Sequence, residues 1–151
     1  MAALSWVKSN SHRLRLVHPW LDQDVHIHFP AGAIAKDGPS AGAAITTALV
    51  SLFSDVPVRE HLAMTGEVTL RGMILPVGGI KEKLLAAHRA GIRTVILPER
   101  NEKDVLADLP LRVRQDFKLH YVSKMDQVLE HAFAVSVLNQ ESWTADVAAK
   151  L

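Results

Sequence analysis

Ser40 and Lys83 are the two residues whose types and surroundings allow covalent chemistry. Ser40 sits in the run Lys36-Asp37-Gly38-Pro39-Ser40-Ala41-Gly42, ahead of an uncharged, alanine-rich stretch. A serine hydroxyl becomes a nucleophile when a base takes its proton, and a neutral lysine amine can be that base where no histidine is positioned. A serine at a helix N-terminus also has free backbone N–H groups beside it that can bind an oxyanion. The plainer reading of Ser40 is a helix cap, since Asp-Gly-Pro-Ser before alanines is how an ordinary helix starts. Lys83 is preferred over Lys81 by helical geometry. At about 100° per residue, Lys83 falls among Ile80, Leu84, Ala86, Ala87 and Ala90, and Lys81 near Glu82, His88 and Arg89. An ammonium among alanines loses hydration, which favours the neutral amine that a base requires. The plainer reading is a lysine lying along the apolar stripe with its charge in water.

Other polar groups allow weaker chemistry. Asp24, His26 and His28 share one face of a predicted strand, a spacing compatible with a metal site or with a histidine triad through Ser40. No third and fourth ligands stand at recognisable spacing, so a metal site is not expected; the histidines are read as partly buried polar residues next to the site, with His28 helping to position the loop. Thr65-Gly66-Glu67 follows an apolar run and can put a hydroxyl and a carboxylate near the lysine, or serve only as a turn. No Gly-x-x-x-x-Gly-Lys-Ser/Thr pattern occurs, so the chain has no phosphate loop of its own.

The elements that must position these residues follow from periodicity. Helices are predicted over 3–9, 40–54, 80–90, 102–109 and 125–137, with the one at 40–54 buried on most sides. Strands are predicted over 24–29, 62–68, 73–75, 94–97 and 118–122. This alternation implies an α/β fold with a partly parallel sheet. At 151 residues the chain fits one domain, over 1–138, followed by a polar tail over 139–151. Net charge is +1 with the signs interspersed, so neither nucleic acid nor an anionic membrane surface is implied. The absence of cysteine excludes disulfides and thiolate metal sites. The uncharged stretch between Asp37 and Asp55 is interrupted by glycine, proline and hydroxyls and falls short of the ~20 apolar residues a membrane span requires.

Three segments together resemble the proteolytic domain of Lon, the ATP-dependent protease. They are Lys36-Asp37-Gly38-Pro39-Ser40-Ala41-Gly42, Ala63-Met64-Thr65-Gly66-Glu67 and Leu75-Pro76-Val77-Gly78-Gly79-Ile80-Lys81-Glu82-Lys83. The resemblance implies a compact α/β domain with a mixed sheet and flanking helices, and a serine endopeptidase that hydrolyses unfolded or damaged polypeptides. It implies Ser40 as nucleophile and Lys83 as general base, the lysine that the helical wheel also selects. Asp37 matches an acid of the active-site loop and Thr65 a hydroxyl that hydrogen-bonds the lysine, with His28, Glu67 and Ala41 as further supporting residues. A hexameric homo-oligomeric ring is also implied.

Ala3-Leu4-Ser5-Trp6, the run from His28 to Ala33 and Arg100-Asn101-Glu102-Lys103-Asp104 look most like the peroxisomal branch. The C-terminal Ala149-Lys150-Leu151 is a variant of the Ser-Lys-Leu address read by the peroxisomal import receptor, which makes the peroxisome matrix the expected location ahead of cytoplasm or mitochondrial matrix. The chain is expected to start at the first helix of the family's domain, without its preceding strands and without the ATPase portion. ATP and Mg are therefore implied only for that absent portion, and no cofactor or metal is expected in this chain. The competing reading is a truncated, non-catalytic Lon-like domain that acts as an assembly or interaction module.

Overall fold

The computed structural model describes residues 2–17, 24–28 and 39–138. In chain order its elements are α1 (Ala2–Ser9), α2 (Gly42–Ser54), β1 (Leu62–Met64), β2 (Glu67–Val68), β3 (Ile74–Leu75), α3 (Ile80–Arg89), β4 (Thr94–Pro98), α4 (Glu102–Asp108), α5 (Leu111–Arg114), β5 (Lys118–Val122) and α6 (Met125–Ala132). The predicted fold class holds: a parallel sheet with flanking helices, plus an antiparallel hairpin. β4 is central, pairing parallel with β1 on one side and β5 on the other. Its apolar run, Val95-Ile96-Leu97, is what a parallel strand covered on both faces requires. Ile96 and Val122 face one core with residues of α1, α2 and α6; Val95 and Leu97 face a second core with Ile80 and Leu84 of α3 and Val105 of α4. Phe53, Ile96, Met125 and Leu129 are each at most 1% exposed, and each such side chain contributes about 1.5–3 kcal/mol relative to exposure.

α2 buries Thr46 and Thr47 among its apolar residues, which is possible because each hydroxyl donates to the carbonyl four residues back, at 2.8 and 2.9 Å. One stripe, Ala48 and Leu52, stays exposed, so the helix is less enclosed than its composition suggests. The hairpin of β2 and β3 pairs Glu67 with Leu75 and Val68 with Ile74, and it abuts the start of α2, where the Ala43 N–H donates to Gly66 O at 2.9 Å.

Two expectations need correction. Residues 24–28 form no strand, although Val25 and Ile27 are half-buried and Asp24, His26 and His28 exposed, as the alternation requires. Alternation decides which face turns inward, whereas a strand also needs a partner edge, and no ladder partner stands there among the described residues. The last helix ends at Ala132 instead of running to Val137. Phe133 leaves it with extended backbone to form a bridge with Val58, and Leu138 forms one with Leu14; these long-range pairings are invisible to local helix propensity. The tail over 139–151 lies outside the described residues. Among those described, no helix is long and apolar enough to cross a membrane.

The joint between β5 and α6 makes stability pH-dependent. The rings of His120 and His131 lie 3.9 Å apart, and partial burial first, then the charges of His131 and Lys118, hold His120 below its ordinary pKa. The unfolded chain therefore protonates first as pH falls, so this contribution is complete above pH 6.5 and is lost between there and the lower folded-state value. A urea-unfolding midpoint that falls from pH 7.5 to 5.5 in the parent, and falls less in His120→Gln, is the expected result; equal slopes would exclude His120 as the cause.

Candidate active site

The serine and the lysine come from elements on opposite sides of one cleft. Ser40 lies in the turn that enters α2, and Lys83 in the first turn of α3. Both line a cleft of about 490 Å³ whose walls are otherwise mostly alanines and larger apolar side chains, among them Met64, Leu84 and Ile92. That size and character fit an apolar side chain or a short peptide segment. Among the described residues Lys83 is the only ionisable side chain lining the cleft, and it is half-buried there. Lys81 lines a separate depression with Asp104 and Asp108. The lysine chosen by periodicity is thus the one that lines the cleft with Ser40.

Ser40 is not the helix cap. α2 begins at Gly42 with Ala41 in the cap position, and no side chain caps it. The backbone groups at this end are satisfied from elsewhere: Gly42 N–H donates to Pro39 O at 3.0 Å and Ala43 N–H to Gly66 O. The Ser40 carbonyl accepts the N–H of Gly66 at 3.0 Å and the hydroxyl of Thr65 at 3.2 Å. Among the described residues the Ser40 hydroxyl and the N–H groups of Ser40 and Ala41 have no hydrogen-bond partner. None of the described residues thus ties up the hydroxyl as a nucleophile or the two amides as donors to negative charge.

This tight joint between helix and hairpin depends on Gly42. A Cβ there would stand 2.8 Å from Val68 N, closer than side-chain carbons come to backbone, and a tight 3.3 Å from Gly66 O.

The lysine is held on the other side of the cleft. Its Nζ donates to Gly78 O at 2.8 Å, and its backbone N–H to Gly79 O at 3.0 Å. Gly79 has φ +68°, a left-handed conformation suited to glycine, at the entry to α3. Asn101, unremarked as a site residue in the sequence, braces this loop: it bonds both backbone groups of Val77 and the carboxylate of Asp104. An asparagine before Glu102 looks in sequence like a helix cap; in the structure it caps nothing with its side chain.

The supporting residues separate. Thr65 reaches the site, but its hydroxyl bonds the carbonyl of Ser40 and not the lysine. Ala41 lines the cleft beside Ser40. Glu67 lies in β2 opposite Leu75 and does not line the cleft. His28 is exposed, with its ring 6.5 Å from that of His26, and is likewise absent from the cleft lining. Asp37 lies outside the described residues. Among those described, no group of three histidines, aspartates or glutamates is placed to hold a metal ion.

The fold and site define an α/β domain that presents one serine and one lysine to a shared apolar cleft. Residues 1–135 match the family profile of the Lon protease (S16) C-terminal proteolytic domain. Lon protease of Anaeromyxobacter dehalogenans is 58% identical over 132 residues, covering 87% of this chain and 16% of that protein. The human protein named Lon protease homolog 2, peroxisomal, is 56% identical over 137 residues, and its maize counterpart 54% over 136, each over 87% of this chain and 16% or 15% of theirs. The chain belongs to the Lon protease C-terminal proteolytic domain family, and it spans about one sixth of the length of these relatives.

Proposed function

We propose that this chain is a serine endopeptidase working through a Ser40–Lys83 dyad on unfolded or damaged polypeptides. The observation that carries the reading is that Ser40 shares its cleft with Lys83, the only ionisable side chain lining it among the described residues. In the reaction, the Lys83 amine turns from Gly78 O toward Ser40 and takes its hydroxyl proton while Oγ attacks the scissile carbonyl carbon. The N–H groups of Ser40 and Ala41 receive the oxyanion that forms, beside the apolar walls of the cleft. The Lys83 ammonium then protonates the departing amine, leaving an acyl ester on Ser40. Water, deprotonated by the same amine, hydrolyses that ester and restores the enzyme. Thr65 serves by bonding the Ser40 carbonyl, which keeps the nucleophile's turn against the hairpin.

ATP and Mg find no phosphate loop in this sequence, and no step here passes through them. A hexameric ring and a peroxisomal location belong to the same reading. The first is checked by sedimentation of the purified chain. The second rests on relatives named peroxisomal and on Ala149-Lys150-Leu151, which lie outside the described residues; a reporter ending in this tripeptide that stays cytosolic would count against it.

Cleavage of an unfolded protein substrate tests the dyad against a histidine triad. Activity is expected to vanish in Ser40→Ala and to persist in His28→Ala, because His28 is exposed and off the cleft. A folded but inactive His28→Ala variant overturns the dyad.

A further inference from the structure

A buried polar side chain must spend its donors and acceptors on protein groups. Asn101, 2% exposed, spends three of them around one loop. Its Oδ1 accepts the Val77 N–H at 2.9 Å, and its Nδ2 donates to the Val77 carbonyl at 2.9 Å and to Asp104 Oδ2 at 2.6 Å. One planar amide thus occupies both backbone groups of a single residue, as a paired strand would. The Val77 carbonyl shares its peptide plane with the Gly78 nitrogen, so Asn101 sets the tilt of the plane that leads into Gly78. The next carbonyl, Gly78 O, is the one that receives Lys83 Nζ. Little else holds this stretch: a Cβ on Gly78 would meet nothing within 4 Å, and among the described residues the Val77 backbone has no other hydrogen-bond partner.

We propose that Asn101, backed by Asp104, is a positioning residue for Lys83: it fixes the Gly78 carbonyl on which the amine rests, and so where the base waits relative to Ser40. The inference rests on the reading of Lys83 as base. The side chain must be an amide, because the site asks for one acceptor and two donors. Aspartate would set oxygen against the Val77 carbonyl and against Asp104. The ionisable groups near the lysine are Lys81 and Glu82 on its own helix and Asp104 and Asp108 of α4 across the adjoining depression.

The test compares the full chain with Asn101→Ala and Asp104→Ala, with folding monitored by thermal unfolding. The first readout is the rate at which Lys83 is acetylated by acetic anhydride at one fixed pH, followed by mass spectrometry with Lys81 as internal reference. The Gly78 carbonyl engages the amine, so its displacement leaves the amine freer to react. A rise of about tenfold, the scale of one hydrogen bond to a charged group, is expected for Lys83 in Asn101→Ala, with a smaller rise in Asp104→Ala. The second readout, Ser40 acylation by a fluorophosphonate probe, is expected to drop about tenfold.

An unchanged Lys83 acetylation rate in folded Asn101→Ala overturns the proposal, as does an equal change at Lys81, which would report altered charge alone. If Asn101→Ala does not fold, Asp104→Ala decides by the same criterion. Should wild-type acylation prove independent of Lys83, the dyad reading falls, while the acetylation rate still judges the hold on Gly78.

Discussion

Lys83→Ala is expected to slow acylation of Ser40 by a serine-directed covalent probe by about 10²–10⁴-fold, the usual worth of a general base. The size follows from the cleft's composition. Among the described residues no second ionisable side chain lines it, so none of them can take the proton when the amine is gone. His26 and His28 are exposed and off the cleft, and water is a far weaker base than an amine. Lys83→Arg is expected to be nearly as slow, because a guanidinium keeps the charge and the length but does not give up its proton near neutral pH. Lys81→Ala, on the outer face of the same helix, is expected to label like the parent. Rapid labelling of a folded Lys83→Ala chain would remove the lysine from the mechanism and return the domain to the reading of an interaction module.

Gly42→Ala is expected to cost about 2–3 kcal/mol of stability, lowering Tm by roughly 5–10 °C, and to slow acylation as well. Helix propensity alone points the other way, since alanine replaces glycine in a helix interior with a gain of about 1 kcal/mol. The clash decides the sign. The new methyl would stand 2.8 Å from the backbone nitrogen of Val68, 3.1 Å from its Cγ1 and 3.3 Å from Gly66 O, and neither backbone atom can swing aside as a side chain tip does. Relief requires the first turn of α2 to back away from the hairpin. That strains the Ala43 to Gly66 bond and the two bonds that hold the Ser40 carbonyl, and it carries Ser40 away from Lys83. Thermal unfolding and probe labelling of the same preparation check both effects. A variant at least as stable as the parent and equally reactive would show that the joint is looser than its distances imply.

Much of the framework was legible in the chain because it depends on local repetition. The apolar run of β4 marks a strand buried on both faces, and the short helix before Asn10 shows its inward face at Ala3, Trp6 and Val7. The weaker predictions failed where a distant partner decides. Residues 24–28 alternate in burial yet pair with no strand, and α6 stops early because Phe133 and Leu138 form bridges with Val58 and Leu14, far earlier in the chain.

The same division runs through the site. The sequence by itself determined which lysine faces the cleft, because the phase of α3 is a local property that places Lys83 with Leu84 and Ala87 and leaves Lys81 outside. It also placed the serine ahead of a helix start and kept it within reach of candidate oxyanion donors. Only the tertiary structure decided that Ser40 caps nothing, that Thr65 bonds its carbonyl from 25 residues away, and that Asn101 holds Val77 from 24 residues away. Those contacts join segments that no periodicity relates. Each exists because packing of the two cores brings the loops together and because a buried polar group there must find a partner.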